Sequence, residues 1–334
     1  MAFDLPLIWA LLIAFAVLAY VVMDGFDLGV GILFPLFANT RERDTVMNSV
    51  APVWDGNETW LVLGGGGLFA VFPLAYAVLM PALYAPVVAM LLGLVLRGVA
   101  FEFRWKTERG KFIWDWAFFG GSLVAAFAQG VMVGAIVQGI KVSGRAYAGG
   151  WFDWFSPFSL MTGVAVTVGY ALLGATWLIL KTDGSVQQRA YGFASVLALG
   201  QLASIAVISI WTPLLQPEYL ALWLSLPAIL YAAAVAVLLP IVSARLILSI
   251  RNRHEIEPFL ASLALFLLSF AGLGISLYPN IVPPSITIWQ AASPDNSLAF
   301  LLTGAVVLIP MILAYTAYSY WVFRGKVDSQ AGYH

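Results

Sequence analysis

Apolar runs of about 20 residues, separated by short polar or proline-bearing stretches, recur along the whole of this 334-residue chain. Wound as a helix, a run of that length matches the roughly 30 Å hydrocarbon core of a bilayer. Inside lipid the backbone must satisfy its own hydrogen bonds, and a helix does so within one segment. The pattern predicts an all-α, polytopic membrane protein with about nine spans, over 7–35, 58–77, 80–99, 116–140, 159–180, 192–211, 220–243, 259–278 and 298–322. The division between the second and third rests on little. One apolar stretch runs from Gly56 to Gly98, and only Pro73, Pro81 and the aromatic residues between them mark a turn. Composition agrees: 62% of residues are hydrophobic and 10% charged, against roughly 25% charged in a soluble domain. Residues 1–334 read as a single transmembrane domain.

Lys and Arg accumulate in cytoplasmic loops, so charge tests the count. With the amino terminus outside, the cytoplasmic segments carry Arg41, Arg43, Arg97, Arg104, Lys106, Arg109, Lys111, Lys181, Arg189, Arg245, Arg251, Arg253, Arg324 and Lys326. That is fourteen of the sixteen basic residues, leaving only Lys141 and Arg145 outside. An eight-span chain would scramble the alternation. The expected orientation is therefore an amino terminus outside and a carboxyl terminus on the cytoplasmic side.

Several function classes lack the residues they need. The first helix has no basic stretch before it and no small-residue cleavage site, so it is expected to be a retained span. Cysteine is absent, which removes disulfides, thiolate metal sites and iron–sulfur clusters. A net charge of −1 without a basic tract gives no footing for nucleic acid. No glycine-rich phosphate loop ends in Lys-Ser or Lys-Thr. The two histidines are His254, in the charged loop Arg-Asn-Arg-His-Glu, and His334 at the last position. Neither is placed to ligate a haem inside a bundle, and a methionine in an apolar helix is ordinarily packing. No metal and no directly bound cofactor is expected on this chain.

Against this apolar background the acids stand out. Asp24 and Asp27 lie in Val-Met-Asp24-Gly-Phe-Asp27, and Asp55 and Glu58 lie in Trp54-Asp55-Gly-Asn57-Glu58. An acid inside a span costs roughly 2.5 to 3.5 kcal/mol on insertion scales, so each marks a functional candidate. The predicted topology puts all four near the cytoplasmic side, where the third helix also ends with Arg97 and Glu102. Residues three apart share a helix face, so each acid pair is expected to point one way. Plainer roles compete. Asp55 could cap the second helix, Glu58 could complement its dipole, and Arg97 could lock helices together by pairing with Glu102 or with an acid on helix one. Asp24, deep in an apolar helix, has no capping use. Gly25 and Gly29, and the run Gly64 to Gly67, are expected to let helices pack closely. Trp105, Trp114, Trp116, Trp151, Trp154, Trp211, Trp289 and Trp321 read as interfacial anchors.

Composition leaves three classes open: an ion-conducting part of a larger machine, an autonomous proton-coupled secondary transporter, or a structural partner. Transporters commonly carry broken helices in two related halves. Here no second copy of Asp-Gly-Phe-Asp or Trp-Asp-Gly-Asn follows the first third.

The residues also resemble a family. Asp24-Gly-Phe-Asp27-Leu-Gly-Val-Gly, Asn48-Ser-Val-Ala-Pro-Val-Trp54-Asp55-Gly-Asn57 and Trp114-Asp115-Trp116 look like subunit II of the bacterial cytochrome bd-type quinol oxidases. The likeness continues through Gln138-Gly139, Ser156-Pro-Phe, Gly174-Ala-Thr-Trp177-Leu, Ser276-Leu-Tyr-Pro279, Thr287-Ile-Trp289, Ile309-Pro-Met-Ile-Leu-Ala-Tyr315-Thr and Tyr320-Trp321. The lack of long insertions resembles the cyanide-insensitive branch. The resemblance implies two four-helix bundles plus a peripheral helix, and no haem on this chain. Two b-type haems and one d-type haem would sit in a partner subunit I, where quinol and dioxygen react. A small single-span accessory subunit and a structural quinone accompany some relatives. It also implies a proton path through Asp55, flanked by Trp54 and Asn57, with Asp24 and Asp27 as further members. Glu58 stands where some relatives have an amide.

Overall fold

A computed structural model describes residues 3–327 of the chain. Its helices are α1 (Leu5–Leu33), α2 (Thr40–Asn48), α3 (Trp54–Val71), α4 (Pro73–Ala82), α5 (Tyr84–Lys106), α6 (Lys111–Gln138), α7 (Pro157–Lys181), α8 (Gly184–Leu215), α9 (Pro217–Trp223), α10 (Ala228–Arg251), α11 (Glu257–Leu277), α12 (Ile288–Ala291) and α13 (Asp295–Val322). Two short antiparallel hairpins interrupt them: β1 (Val142–Ser143) with β2 (Ala146–Tyr147), and β3 (Asn280–Val282) with β4 (Ile286–Thr287).

Among the described residues, eight of these helices are individually long and apolar enough to span a bilayer, and the count reaches nine when α3 and α4, bent by 119° at their junction, are taken as one further span. The break falls at Phe72, immediately before Pro73, which has no N–H to continue the helix. The predicted second helix therefore merges two elements. In fact α3 starts four residues earlier, at Trp54, and its 18 residues reach about 27 Å. The predicted seventh span is also displaced. Pro217 opens the short α9, and α10 begins only after Pro227.

In the first bundle, α1, α3, α5 and α6 pack together; the second comprises α7, α8, α10 and α11, and α13 lies at the edge against α1 and α3. The bundles meet where α1 and α6 cross α7. At the α1–α7 crossing, a Cβ on Gly29 would lie 1.7 Å from the Tyr170 carbonyl oxygen, and one on Gly174 would lie 2.3 Å from the Gly29 carbonyl carbon. Only glycine allows that approach. The run Gly64 to Gly67 behaves differently from expectation. Gly64 and Gly67 face side chains of α1, and Gly65 and Gly66 have nothing within 4 Å.

Polar ties close both ends. At the end carrying most of the basic residues, Arg104 is buried and bonds Asp44 and Asp115, both at 2.6 Å, while Arg43 bonds Asp115 at 2.9 Å. Asp115 of the Trp-Asp-Trp motif thereby joins α2, α5 and α6. At the other end Trp289 donates to Asp4, Trp9 Nε1 to the Leu298 carbonyl, and Tyr219 to the Val137 carbonyl. Trp116, Trp151, Trp289 and Trp321 are exposed near helix ends, as interfacial anchors are.

Candidate functional site

The basic-end half of α1 carries Asp24 and Asp27, both fully buried. Each residue of Asp24-Gly25-Phe26-Asp27 meets a different neighbour, because four successive residues point around the whole helix. Asp24 faces α5, where its Oδ1 accepts from Arg97 Nη2 at 2.6 Å. Gly25 makes room for the Tyr170 ring, which a Cβ would meet at 2.8 Å. Phe26 stacks on Trp177 with ring centroids 4.1 Å apart. Asp27 faces α3, and its Oδ2 accepts from Asn57 Nδ2 at 2.7 Å.

The Trp54-Asp55-Gly56-Asn57-Glu58 segment forms the opening turns of α3. Asn57 is buried; it also accepts from the Tyr320 hydroxyl at 3.0 Å, and so ties α1, α3 and α13 together. Glu58 turns toward the interior and pairs with the same Arg97 Nη2 that holds Asp24. Its side chain remains 26% exposed, whereas Asp24 and Arg97 are at 0%. Asp24 and Glu58 therefore share one guanidinium nitrogen and lie within a single water's reach of each other. Buried Asp24 Oδ2, Asp27 Oδ1, Arg97 Nε and Arg97 Nη1 have no hydrogen-bond partner within the described structure. Three carboxylates thus surround one fixed cation, in a site with spare donors and acceptors.

Several expectations need correction. Arg97 does not pair with Glu102. The two are five residues apart on α5 and point different ways, and Glu102 instead meets Lys106 at 3.4 Å on the exposed surface. Asp55 is not the cap of α3. Val53 holds that position, and Asp55 sits exposed in the first turn. It does not share an inward face with Glu58: the two are offset by about 60° around α3, and Glu58 reaches the buried Arg97 while Asp55 stays at the exposed surface. Trp54 stacks on Phe101 with ring centroids 4.8 Å apart, tying the start of α3 to α5. Tyr20, Gln129, Tyr170 and Tyr320 also line the cluster. The usable sequence signals were Tyr20 one turn before Asp24 and Gln129 as a lone amide within an apolar span.

Among the described residues no group of three or more His, Cys, Asp or Glu side chains is arranged to hold a metal ion. His254 lies on the surface with Nδ1 2.5 Å from Glu257, far from any bundle interior, and His334 lies outside the described residues. His254 does not fit as an axial ligand to a haem buried in this chain.

Comparison with known proteins matches this architecture. A family model for cytochrome bd terminal oxidase subunit II fits residues 5–323. Subunit 2 of the cytochrome bd-I ubiquinol oxidase of Escherichia coli K12 is 32% identical, over 98% of this chain and 96% of the relative. Subunit 2 of the Bacillus subtilis cytochrome bd ubiquinol oxidase is 31% identical, over 96% of each. The solved structure of bd oxidase from Geobacillus thermodenitrificans contains a chain of the same fold, with a TM-score of 0.73 at 18% identity, covering 96% of this chain and 99% of that one. From its first helix to the end of α13, the chain belongs to the family of cytochrome bd terminal oxidase subunit II.

Proposed function

We propose that this chain is the haem-free second subunit of a membrane quinol:dioxygen oxidoreductase, assembled beside a haem-bearing subunit I. In this reading it supports assembly of that subunit and supplies part of the path by which cytoplasmic protons reach the site of oxygen reduction. The observation that carries the reading is the ladder of acid exposure, from surface Asp55 through half-buried Glu58 to fully buried Asp24 and Asp27. A relay needs carriers that can gain and lose a proton within hydrogen-bond reach of one another. Glu58 and Asp24 meet that demand across Arg97. Arginine stays charged, so Arg97 offsets the crowded negative charge without carrying protons itself. Asn57 and Tyr320 hold Asp27 in place beside them.

Orientation supports entry from the cytoplasm. The end of the bundles nearest the acids carries fourteen of the sixteen basic residues, the mark of a cytoplasmic face. The amino terminus is then periplasmic and the carboxyl terminus cytoplasmic, in the bacterial inner membrane. Protons taken up inside for water, with quinol oxidised near the outer face by subunit I, would build a proton-motive force without pumping.

The test is purification through this chain in mild detergent, with identification of co-purifying subunits and a reduced-minus-oxidised spectrum. A larger subunit with b- and d-type haem bands is expected. A haem-free single component that transports a solute by itself in liposomes would overturn the reading in favour of a secondary transporter.

A further inference from the structure

Tyr20 lies four residues before Asp24, on the same face of α1, with its hydroxyl near the Asp24 carboxylate. It is 4% exposed. From α6, Gln129 Nε2 donates to the Tyr20 oxygen at 2.9 Å, and from α7 the Tyr170 hydroxyl donates to Gln129 Oε1 at 2.7 Å. An amide has one accepting end and one donating end, so this chain has a direction. The Tyr170 proton occupies the Gln129 oxygen, the Gln129 N–H occupies the Tyr20 oxygen, and the Tyr20 proton is left free to donate. The acceptor nearest along the same face is Asp24, whose buried Oδ2 has no hydrogen-bond partner while Oδ1 is held by Arg97.

The second acid is served in the same way. The Tyr320 hydroxyl donates to Asn57 Oδ1, and Asn57 Nδ2 donates to Asp27. Each buried acid thus faces the donor end of a tyrosine–amide chain anchored on a distant helix.

We propose that Tyr20 is a positioning residue for Asp24: its hydroxyl proton, aimed by Gln129 and Tyr170, fixes the free carboxylate oxygen and sets the protonation behaviour of the cluster. The proposal rests on the proton-entry reading and deepens it. The groups facing Asp24 are Arg97 of α5, Glu58 of α3, Asp27 and Tyr20 of α1, Tyr170 of α7 and Tyr320 of α13. Of these, Tyr20 alone combines a free proton with an aimed geometry.

The experiment compares Tyr20→Phe and Tyr170→Phe in the assembled, purified oxidase. Tyr20→Phe is expected to keep the haem content and the quinol KM, to lower kcat several-fold, and to displace the midpoint of the kcat–pH profile by about one unit. Tyr170→Phe, which keeps the Tyr20 hydroxyl but removes the group that orients Gln129, should lower thermal stability and displace the midpoint by less than Tyr20→Phe does. If neither variant moves the midpoint and both only lose stability, the chain is a clamp between bundles and the proposal fails. Carboxyl infrared difference spectra, assigned with Asp24→Asn, separate the two readings. An Asp24 band that shifts in Tyr20→Phe supports the positioning role even if Asp24→Asn takes up protons normally, an outcome that would remove the proton-entry reading alone. An unshifted band overturns the positioning role.

Discussion

Arg97 and Asp24 form an ion pair at 2.6 Å with both side chains at 0% exposure, and removing one partner strands a charge where no water can solvate it. Breaking a pair of that kind costs about 3–5 kcal/mol, mostly for the group left behind. Arg97→Gln is therefore expected to lower the thermal midpoint of the purified complex by roughly 6–10 °C, at about 2 °C per kcal/mol for a chain of this size. Asp24→Asn in the same background removes the stranded charge. The double variant should then be more stable than the sum of the single losses predicts, by about 1–3 kcal/mol. Glu58 limits the recovery, because it also loses Arg97, though its partial exposure lets solvent reach it. The surface pair Lys106–Glu102, at 75% and 55% exposure, is the internal comparison. Glu102→Gln should change stability by no more than about 0.5 kcal/mol. Thermal unfolding of the complex, scored by loss of haem absorbance, reads all four variants. Strict additivity of Arg97→Gln and Asp24→Asn would refute the coupling on which this account of the site depends.

Three further outcomes follow from particular contacts. Gly29→Ala places a methyl 1.7 Å from the Tyr170 carbonyl oxygen, where about 3.3 Å is needed, so α1 and α7 must part and the complex should lose about 1–3 kcal/mol or fail to assemble. Gly192→Ala, with nothing within 4 Å, should be tolerated in the same unfolding assay. Glu58→Gln, which keeps the shape and removes the proposed half-buried carrier, should slow oxygen consumption more than Asp55→Asn, because bulk water can serve the exposed position; equal rates would take Glu58 off the path. At the basic end, Lys326 bonds Asp183 at 2.6 Å and Glu255 at 2.8 Å, and the Val327 N–H bonds the Lys181 carbonyl. The hydrogen bond to Asp183, then that to Glu255, raises the Lys326 ammonium above its ordinary value, and the bond from Lys326 holds the Glu255 carboxyl below its own. The clasp should persist from about pH 4.3 to 10.4, loosening as acid passes the lowered Glu255 value or base passes the raised Lys326 value. Amide exchange at Val327, faster in Lys326→Ala and in high salt, measures it.

Hydropathy located the spans because lipid imposes one requirement on every turn of a buried helix. Where that requirement relaxes, the reading loses precision. The apolar stretch around Phe72 bends because of a single missing N–H, and the residues around Pro217 and Pro227 are apolar enough to look like part of a span. The acids were legible for the complementary reason, that a charge in an apolar helix needs a partner. Which partner was not legible. Arg97 reaches Asp24 across 73 positions and Glu58 across 39, and those distances are set by how α1, α3 and α5 cross. The roles of Asp55 and Glu58 were set by where Arg97 of α5 lies: Glu58 reaches it, and Asp55, offset by about 60° around α3, stays at the exposed surface. Tyr20, Gln129 and Tyr170 come together only where two bundles meet, so no local spacing could announce all three.

Whether Asp24 carries protons is read from uptake on the cytoplasmic side, followed with a pH-sensitive dye during a single turnover of the Asp24→Asn oxidase in proteoliposomes. Intact haem spectra and quinol binding are expected, with proton uptake slowed by at least tenfold. Uptake at the wild-type rate in a fully assembled Asp24→Asn complex would contradict a proton-carrying role for Asp24.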